Sequence, residues 1–351
     1  MAGSLQVGVI AGIPIRIHWS LPLVFFYVAW QAESAGAYGL ILAGLVFACV
    51  LLHELGHSLT ARRYGLVTSS ITLTFIGGLA MLEGRPTPKQ EFWIALAGPL
   101  VNIAISAGLF LYMLVSPIEY SLDLMSSKNL VVGLFWANLV IGGFNLIPAF
   151  PLDGGRIIRA ILSMVAGEDT GTRVSVGIGQ AIAAVIFVTG LVIPEVSLAL
   201  IGLFVFFGAS AELNRSTTLS ALAGRTAREG MMTSLFTLNT GDSIGRAAEI
   251  LLSSSQSQFP VLSGSETVGI IGRGEISGGL RKSGAEAYVA EFMRRHFPRV
   301  DVSEELGRCA ELLTATSPVL VVESDGQLVG MIDKENLSEF LMLNDLPNPR
   351  R

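Results

Sequence analysis

Within the stretch CVLLHELGHSLTARRYG, residues 49–65, two of the chain's four histidines stand four positions apart, with a glutamate beside the first. On an α-helix, residues four apart lie about 40° from one another around the axis. His53 and His57 therefore face one way, and their imidazole nitrogens can share one Zn2+ at about 2.0–2.1 Å. Glu54 stands about 100° round from His53, near enough to exchange a proton with a water at that site without acting as a ligand. The preceding run is apolar, and ionisable groups in such a run are costly and mark functional sites. A competing reading is a pair of histidines hydrogen-bonded inside a helix bundle, with Glu54 paired to Arg62 or Arg63. The His-Glu-x-x-His spacing favours the metal.

A catalytic zinc needs a third protein ligand and leaves one position for water. The two cysteines, Cys49 and Cys309, lie far apart in sequence and cannot build a cysteine-based site. Of the acidic residues, Glu33, Glu119, Asp123 and Glu195 fall on the far side of the predicted topology. Glu83, Glu91, Glu168, Asp169 and Glu212 fall in polar loops or at a helix end. Asp153, in FNLIPAFPLDGGRIIRAIL, lies at the depth predicted for the histidines. An aspartate before Gly-Gly and an apolar-periodic run is ordinarily a turn residue or helix N-cap. Beside a metal site short of one ligand, it becomes the candidate for that place.

The elements that carry these residues are those of a membrane protein. Hydrophobic residues make up 51% of the 351 and charged residues 15%, with a mean hydropathy of +0.60. The net charge of −5 gives no reason to propose nucleic acid as a partner. The first twenty residues lack a basic segment, an apolar segment and a small-residue cleavage site in series, so no signal peptide is expected. Charge is sparse up to about residue 220 and dense beyond it. This divides the chain into a membrane domain, 1–220, and a soluble domain, 221–351.

A crossing needs roughly 20 apolar residues. The uncharged runs Ile17–Ala32, Ser34–Leu52, Phe92–Ile118, Asn129–Leu152, Val174–Pro194 and Val196–Ala211 predict six. Arg16, Arg62, Arg63, Arg85, Lys89, Arg156, Arg159, Arg173 and Arg215 then share one side, against Lys128 on the other. The basic side is expected to be cytoplasmic, with both termini and the soluble domain. Between the second and third crossings, Ser70, Thr72 and Thr74 alternate with Ile71, Leu73 and Phe75, a strand period. Gly77-Gly78 is expected as the turn into a second strand, Leu79–Leu82. At membrane depth such a hairpin is re-entrant and sits against protein or a wet cavity; the alternative reading is a hairpin on the cytoplasmic surface. Ser70–Phe75 would then offer an edge for an extended peptide.

The soluble part repeats itself. VLSGSETVGIIGRGEISGGL, at 261–280, aligns with VVESDGQLVGMIDKENLSEFL, at 321–341, and the segments upstream align as well. Each copy, about 225–282 and about 287–345, reads as helix, strand, turn, strand, helix. The two form an α/β pair with a shared core.

The motifs HELGH (53–57), GGLAML (77–82), AGPLVN (97–102) and FNLIPAFPLDGGRIIRAIL (144–162) resemble those of the site-2 protease family of intramembrane zinc metalloproteases. The resemblance extends to the branch that carries paired cystathionine-β-synthase-type (CBS) modules, and it covers nearly the whole chain. It implies a polytopic helical fold with about six transmembrane helices, a re-entrant β-hairpin and a cytoplasmic tandem CBS module. It implies one Zn2+ held by His53, His57 and Asp153, with Glu54 as general base. Asn145 matches a family asparagine that faces the active site, while Asn102 and Asn138 read as structural amides. The implied activity is hydrolysis of peptide bonds in or near membrane-spanning segments, as in regulated intramembrane proteolysis. The implied substrate is a membrane-spanning protein, such as an anti-sigma factor. Paired CBS modules imply an adenine nucleotide and oligomer contacts. Here, however, the usual hydroxyl positions are Gly272 and Asp333, and the usual Asp positions are Glu275 and Asn336. A carboxylate at Asp333 would repel a phosphate. From another class, a transporter or channel gated by the CBS pair would also use intramembrane His, Glu and Asp.

Overall fold

The structure, a computed structural model, describes residues 3–31, 36–75, 77–116, 129–313 and 317–344. Glu33, Glu119, Asp123 and Lys128, which the topology reading puts on the far side, lie outside the described residues. The chain divides into two compact units, Ala2–Ser216 and Thr217–Arg351.

The first unit runs β1 (Ser4–Ile10), β2 (Ile13–His18), α1 (Leu21–Gln31), α2 (Gly36–Arg63), β3 (Val67–Thr74), β4 (Gly77–Glu83), α3 (Pro88–Val115), α4 (Leu130–Asn145), α5 (Asp153–Ala166) and α6 (Glu168–Val192). It ends in α7 (Val196–Leu222), which carries on past the boundary in sequence. Among the described residues, α2, α3, α6 and α7 are long and apolar enough to cross a membrane. At 16 residues α4 is shorter, about 24 Å against a hydrocarbon core of about 30 Å. α1 has 11 described residues, and the first two residues of the predicted run Ile17–Ala32 belong to β2.

Local chemistry sets these boundaries. Thr87 and Gln90 form a capping box ahead of α3, with Pro88 at its first position. Asn129 caps α4 by accepting from the N–H of Val131. Small residues then let the helices approach. A β-carbon at Gly56 of α2 would come within 3.0 Å of the Ala97 carbonyl oxygen on α3.

The strands form one sheet in the order β1-β2-β3-β4. β1 and β2 are an antiparallel hairpin closed by Ala11 and Gly12, both at positive φ. β2 runs parallel to β3, with Ile15 opposite Ile71, and β4 pairs antiparallel to β3. This alters two expectations. β3 has a neighbour on each side, so Ser70–Phe75 is not an edge, and the edge on this side of the sheet is β4. Gly77 and Gly78 are strand residues rather than the turn. Gly78 serves space rather than a turn: a β-carbon there would press into the side chain of Glu54.

The second unit holds α8 (Ala227–Gly230), β5 (Leu238–Asn239), α9 (Ile244–Ser253), β6 (Gln258–Ser263), β7 (Glu266–Gly272) and α10 (Arg273–Ser283). There follow α11 (Val289–Phe292), β8 (Arg299–Asp301), α12 (Leu306–Leu312), β9 (Val319–Ser324), β10 (Gln327–Asp333) and α13 (Lys334–Asn344). Its two three-stranded sheets have matching pairings: β5 and β8 run parallel to β6 and β9, which pair antiparallel to β7 and β10. The copies exchange their leading segments. Ala227 is buried with Leu306 and Ile332 of the second copy, and Val289 with Ile244 and Ile271 of the first. Glycines make room for this: β-carbons at Gly330 and Gly269 would meet Met231 and Met293. Ile270, Val319, Val321 and Met331 form a core shared by both copies.

Candidate metal centre

α2 is apolar until its last three turns, where His53 and His57 turn inward and are buried. Their Nε2 atoms stand 3.0 Å apart. Asp153, the first residue of α5, is also buried. Its Oδ2 lies 3.1 Å from each Nε2. Asp153 therefore stands neither in a turn nor at an N-cap, which is Leu152. α4 ends at Asn145, and the chain turns back through residues 146–152 to deliver the carboxylate at the start of a separate helix. Gly154 and Gly155 make that return possible. A β-carbon at Gly155 would come within 2.6 Å of the Phe150 backbone nitrogen.

Both rings are oriented from behind by α3. Nδ1 of His57 donates to the carbonyl oxygen of Ile94 at 2.6 Å. A carbonyl only accepts, so Nδ1 carries the proton, which leaves the Nε2 lone pair for an ion that Asp153 would share. His53 Nδ1 is 2.5 Å from Asn102 Oδ1. The Asn102 amide donates to Asn138 Oδ1 at 2.8 Å, and the Asn138 amide donates to the Leu134 carbonyl at 2.9 Å. Asn102 thus supports the site directly, which the reading of it as a structural amide missed. The available signal was its position four residues after Gly98, the helix repeat. Gly98 faces the same rings, and a β-carbon there would come within 2.6 Å of His53 Nε2.

Glu54 packs against β4, where the backbone of Ala80 hydrogen-bonds its carboxylate. Asn145, at the end of α4, donates its amide to the Ile141 carbonyl of its own helix at 3.0 Å. Glu91, Arg156, Arg159 and Glu212 form an ion-pair cluster elsewhere on α3, α5 and α7.

The model of peptidase family M50 matches residues 41–123 and 119–189. A zinc metalloprotease of Methanocaldococcus jannaschii is 33% identical over 348 residues, 98% of this chain and 97% of that protein. The chain belongs to peptidase family M50. The Mycobacterium tuberculosis protein Rip3 is 32% identical over 293 residues, 74% of this M50 chain and 72% of that protein. A solved structure, the site-2 protease from Methanocaldococcus jannaschii, is 38% identical with a TM-score of 0.47, covering 60% of this chain and 95% of that one. The CBS domain model matches residues 228–281 and 289–343. The chain is thus a membrane zinc metalloprotease of the site-2 type with a C-terminal CBS pair, and the transporter or channel reading is not favoured.

The trio fits the zinc that the M50 family implies. Ligand atoms around a four-coordinate zinc stand about 3.3–3.4 Å from one another. The three atoms here are 3.0–3.1 Å apart, within a few tenths of that spacing. Two neutral imidazoles and one carboxylate are a donor set that zinc takes in catalytic sites.

Proposed function

We propose that this M50 protein is a zinc metalloendopeptidase in which His53, His57 and Asp153 hold the metal and Glu54 is the general base. The observation that carries the reading is the convergence of two Nε2 lone pairs and one carboxylate oxygen, with a second carboxylate one residue from His53. Bound there, zinc would supply Lewis-acid polarisation and a water whose pKa falls from that of bulk water towards about 7. Glu54 accepts the proton as water attacks the peptide carbonyl and returns it to the leaving amine. Its contact with β4 holds the carboxylate beside the trio rather than within it. Ile94 and Asn102 keep the two rings in the tautomer that the site requires. For Asn145, nothing in its surroundings adds to what the resemblance implies.

A transmembrane helix resists hydrolysis because its carbonyls are engaged, so the substrate must unwind near the site. The β4 edge, beside Glu54, is where an extended peptide could pair by strand addition. We read the substrate as a membrane-spanning protein, with a regulator such as an anti-sigma factor the type the family suggests. The topology we favour has six crossings, the shorter α1 and α4 among them, and places both termini and the CBS pair in the cytoplasm. The CBS pair would act as a regulatory and oligomer-forming module.

The test is Glu54→Gln in the full chain, reconstituted with a single-pass substrate. Cleavage should stop while bound zinc, measured by atomic absorption, stays at one per chain. Cleavage at the wild-type rate would overturn the reading.

A further inference from the structure

Two of the proposed ligands share α2, and the third arrives alone on α5. Any rotation or slide of α5 would carry Asp153 away from the imidazoles, so something must fix this helix. Its guanidinium groups do so. Arg159 is bonded through Nε and Nη2 to both carboxylate oxygens of Glu91 on α3, the Nε contact measuring 3.2 Å. Through Nη1 it also bonds Glu212 on α7. Arg156, one turn nearer Asp153, stands 3.7 Å from the same Glu91. The Arg159 guanidinium also lies 5.3 Å from the centre of the Phe150 ring, in the return segment that leads into α5.

The arrangement is more than a surface ion pair. Glu91 is 6% exposed, and the Arg159 side chain is largely buried. Two guanidiniums meet two carboxylates here, so opposite charges are paired within the cluster. A fork with three engaged nitrogens fixes direction as well as distance, which a point charge cannot do. Glu91 also stands one turn before Ile94, which orients His57, and two turns before Gly98, which faces both rings. The helix that Arg159 grips is therefore the helix that aligns the imidazoles.

We propose that Arg159, gripped by Glu91 and Glu212, is a positioning residue that holds Asp153 on the metal. The proposal rests on reading His53, His57 and Asp153 as the zinc ligands. It concerns the placement of the third ligand, not the chemistry.

The test is a double-mutant cycle on zinc affinity, measured by chelator competition on the full chain in detergent. Arg159→Lys keeps the charge and loses the fork. It should weaken zinc binding by about 10–100-fold, the usual cost of losing a group that orients a ligand. In the Asp153→Asn background the same substitution should change affinity by less than about 2-fold, because there is no carboxylate left to place. Equal losses in both backgrounds, or none in either, would overturn the proposal. Should Arg159→Lys fail to fold, Glu212→Gln decides. It leaves Arg159 paired to Glu91, and a loss confined to the Asp153 background supports the proposal while no loss overturns it. Wild-type protein that binds no zinc, or binding indifferent to Asp153→Asn, would instead sink the ligand assignment itself.

Discussion

Gly98 on α3 faces His57 so closely that a β-carbon there would overlap the ring, lying 2.5 Å from its Cε1. The same atom would come within 2.6 Å of His53 Nε2. The space that a side chain would take is the space in which the ring nitrogens meet Asp153. Gly78 on β4 bears the same relation to Glu54, with a β-carbon 2.7 Å from its Oε1. The two glycines make separable predictions. Gly98→Ala displaces ligands and should lower zinc affinity by about 100-fold, since neither the helix backbone nor the rings can yield without strain. Gly78→Ala should leave zinc binding unchanged and cut turnover at least about tenfold by moving the base. Chelator competition and cleavage assays on both variants check this.

Asn102 accepts from His53 and is itself held by Asn138. Asn102→Leu removes the acceptor and leaves the ring free to turn or change tautomer. Zinc affinity should fall by about 10–100-fold. Asn138→Leu, one step further back, should cost less. The order of the two losses is the check, and a larger loss at Asn138 would contradict the arrangement.

If substrate pairs with β4, the outward backbone groups of that strand carry the binding. The backbone of Ala80 on that strand bonds the Glu54 carboxylate, and Leu82 lies two residues further along β4. Proline is tolerated on an edge where the lost N–H served no partner strand. Leu82→Pro should therefore raise KM for a membrane substrate several-fold, with zinc binding and thermal stability unchanged. An unaltered KM would remove β4 from the substrate path.

The candidate site residues were legible because the chemistry proposed for them imposes local spacing. His53, Glu54 and His57 had to sit on one helix turn, and Asp153 had to lie at their depth. The supporting residues were less visible. A glycine such as Gly98 or an amide such as Asn102 in an apolar helix has ordinary packing explanations, and only the fold shows what it faces. The first hairpin escaped notice for a different reason. Ile13, Ile15 and Ile17 do alternate, but Ala11-Gly12 is not the usual Asn-Gly turn signal, and the run from Ile17 reads equally well as the start of a crossing. In the C-terminal unit, self-similarity disclosed two copies. It could not disclose that Thr226–Met232 and Tyr288–Arg294 pack on the opposite copy, since so short a segment carries no period of its own.

The CBS pair uses its signature positions internally. Glu275 accepts from the Gly272 N–H at 3.1 Å and pairs with Arg294, which also donates to Gln258. Asp333 accepts from the Asn336 N–H at 2.8 Å, opening α13. A nucleotide would have to displace these bonds and bring phosphate towards Asp333. Isothermal titration of the full chain with ATP or AMP should therefore give no saturable heat up to millimolar concentration. Saturable heat abolished by Glu275→Ala would show that the first copy opens to ligand.

Zinc binding should also be visible as stability, and the sequence supplies a selective reporter. All four tryptophans, Trp19, Trp30, Trp93 and Trp136, lie in the first unit, so intrinsic fluorescence follows its unfolding without a contribution from the CBS pair. A ligand that binds the folded state alone stabilises it by about 2.7 kcal/mol when its free concentration is 100 times Kd. Adding zinc to metal-free protein should raise the tryptophan-reported midpoint by several degrees, and excess chelator should reverse the shift. The His57→Ala variant keeps one imidazole and the carboxylate. It should start from a similar midpoint, because the lost ring leaves the Ile94 carbonyl to water or its own helix, and it should show little zinc-dependent shift. Glu54→Gln leaves the three ligand atoms in place and should shift as wild type does. A wild-type midpoint indifferent to zinc, or a His57→Ala midpoint that rises as far, would mean that the ion binds somewhere other than between α2 and α5.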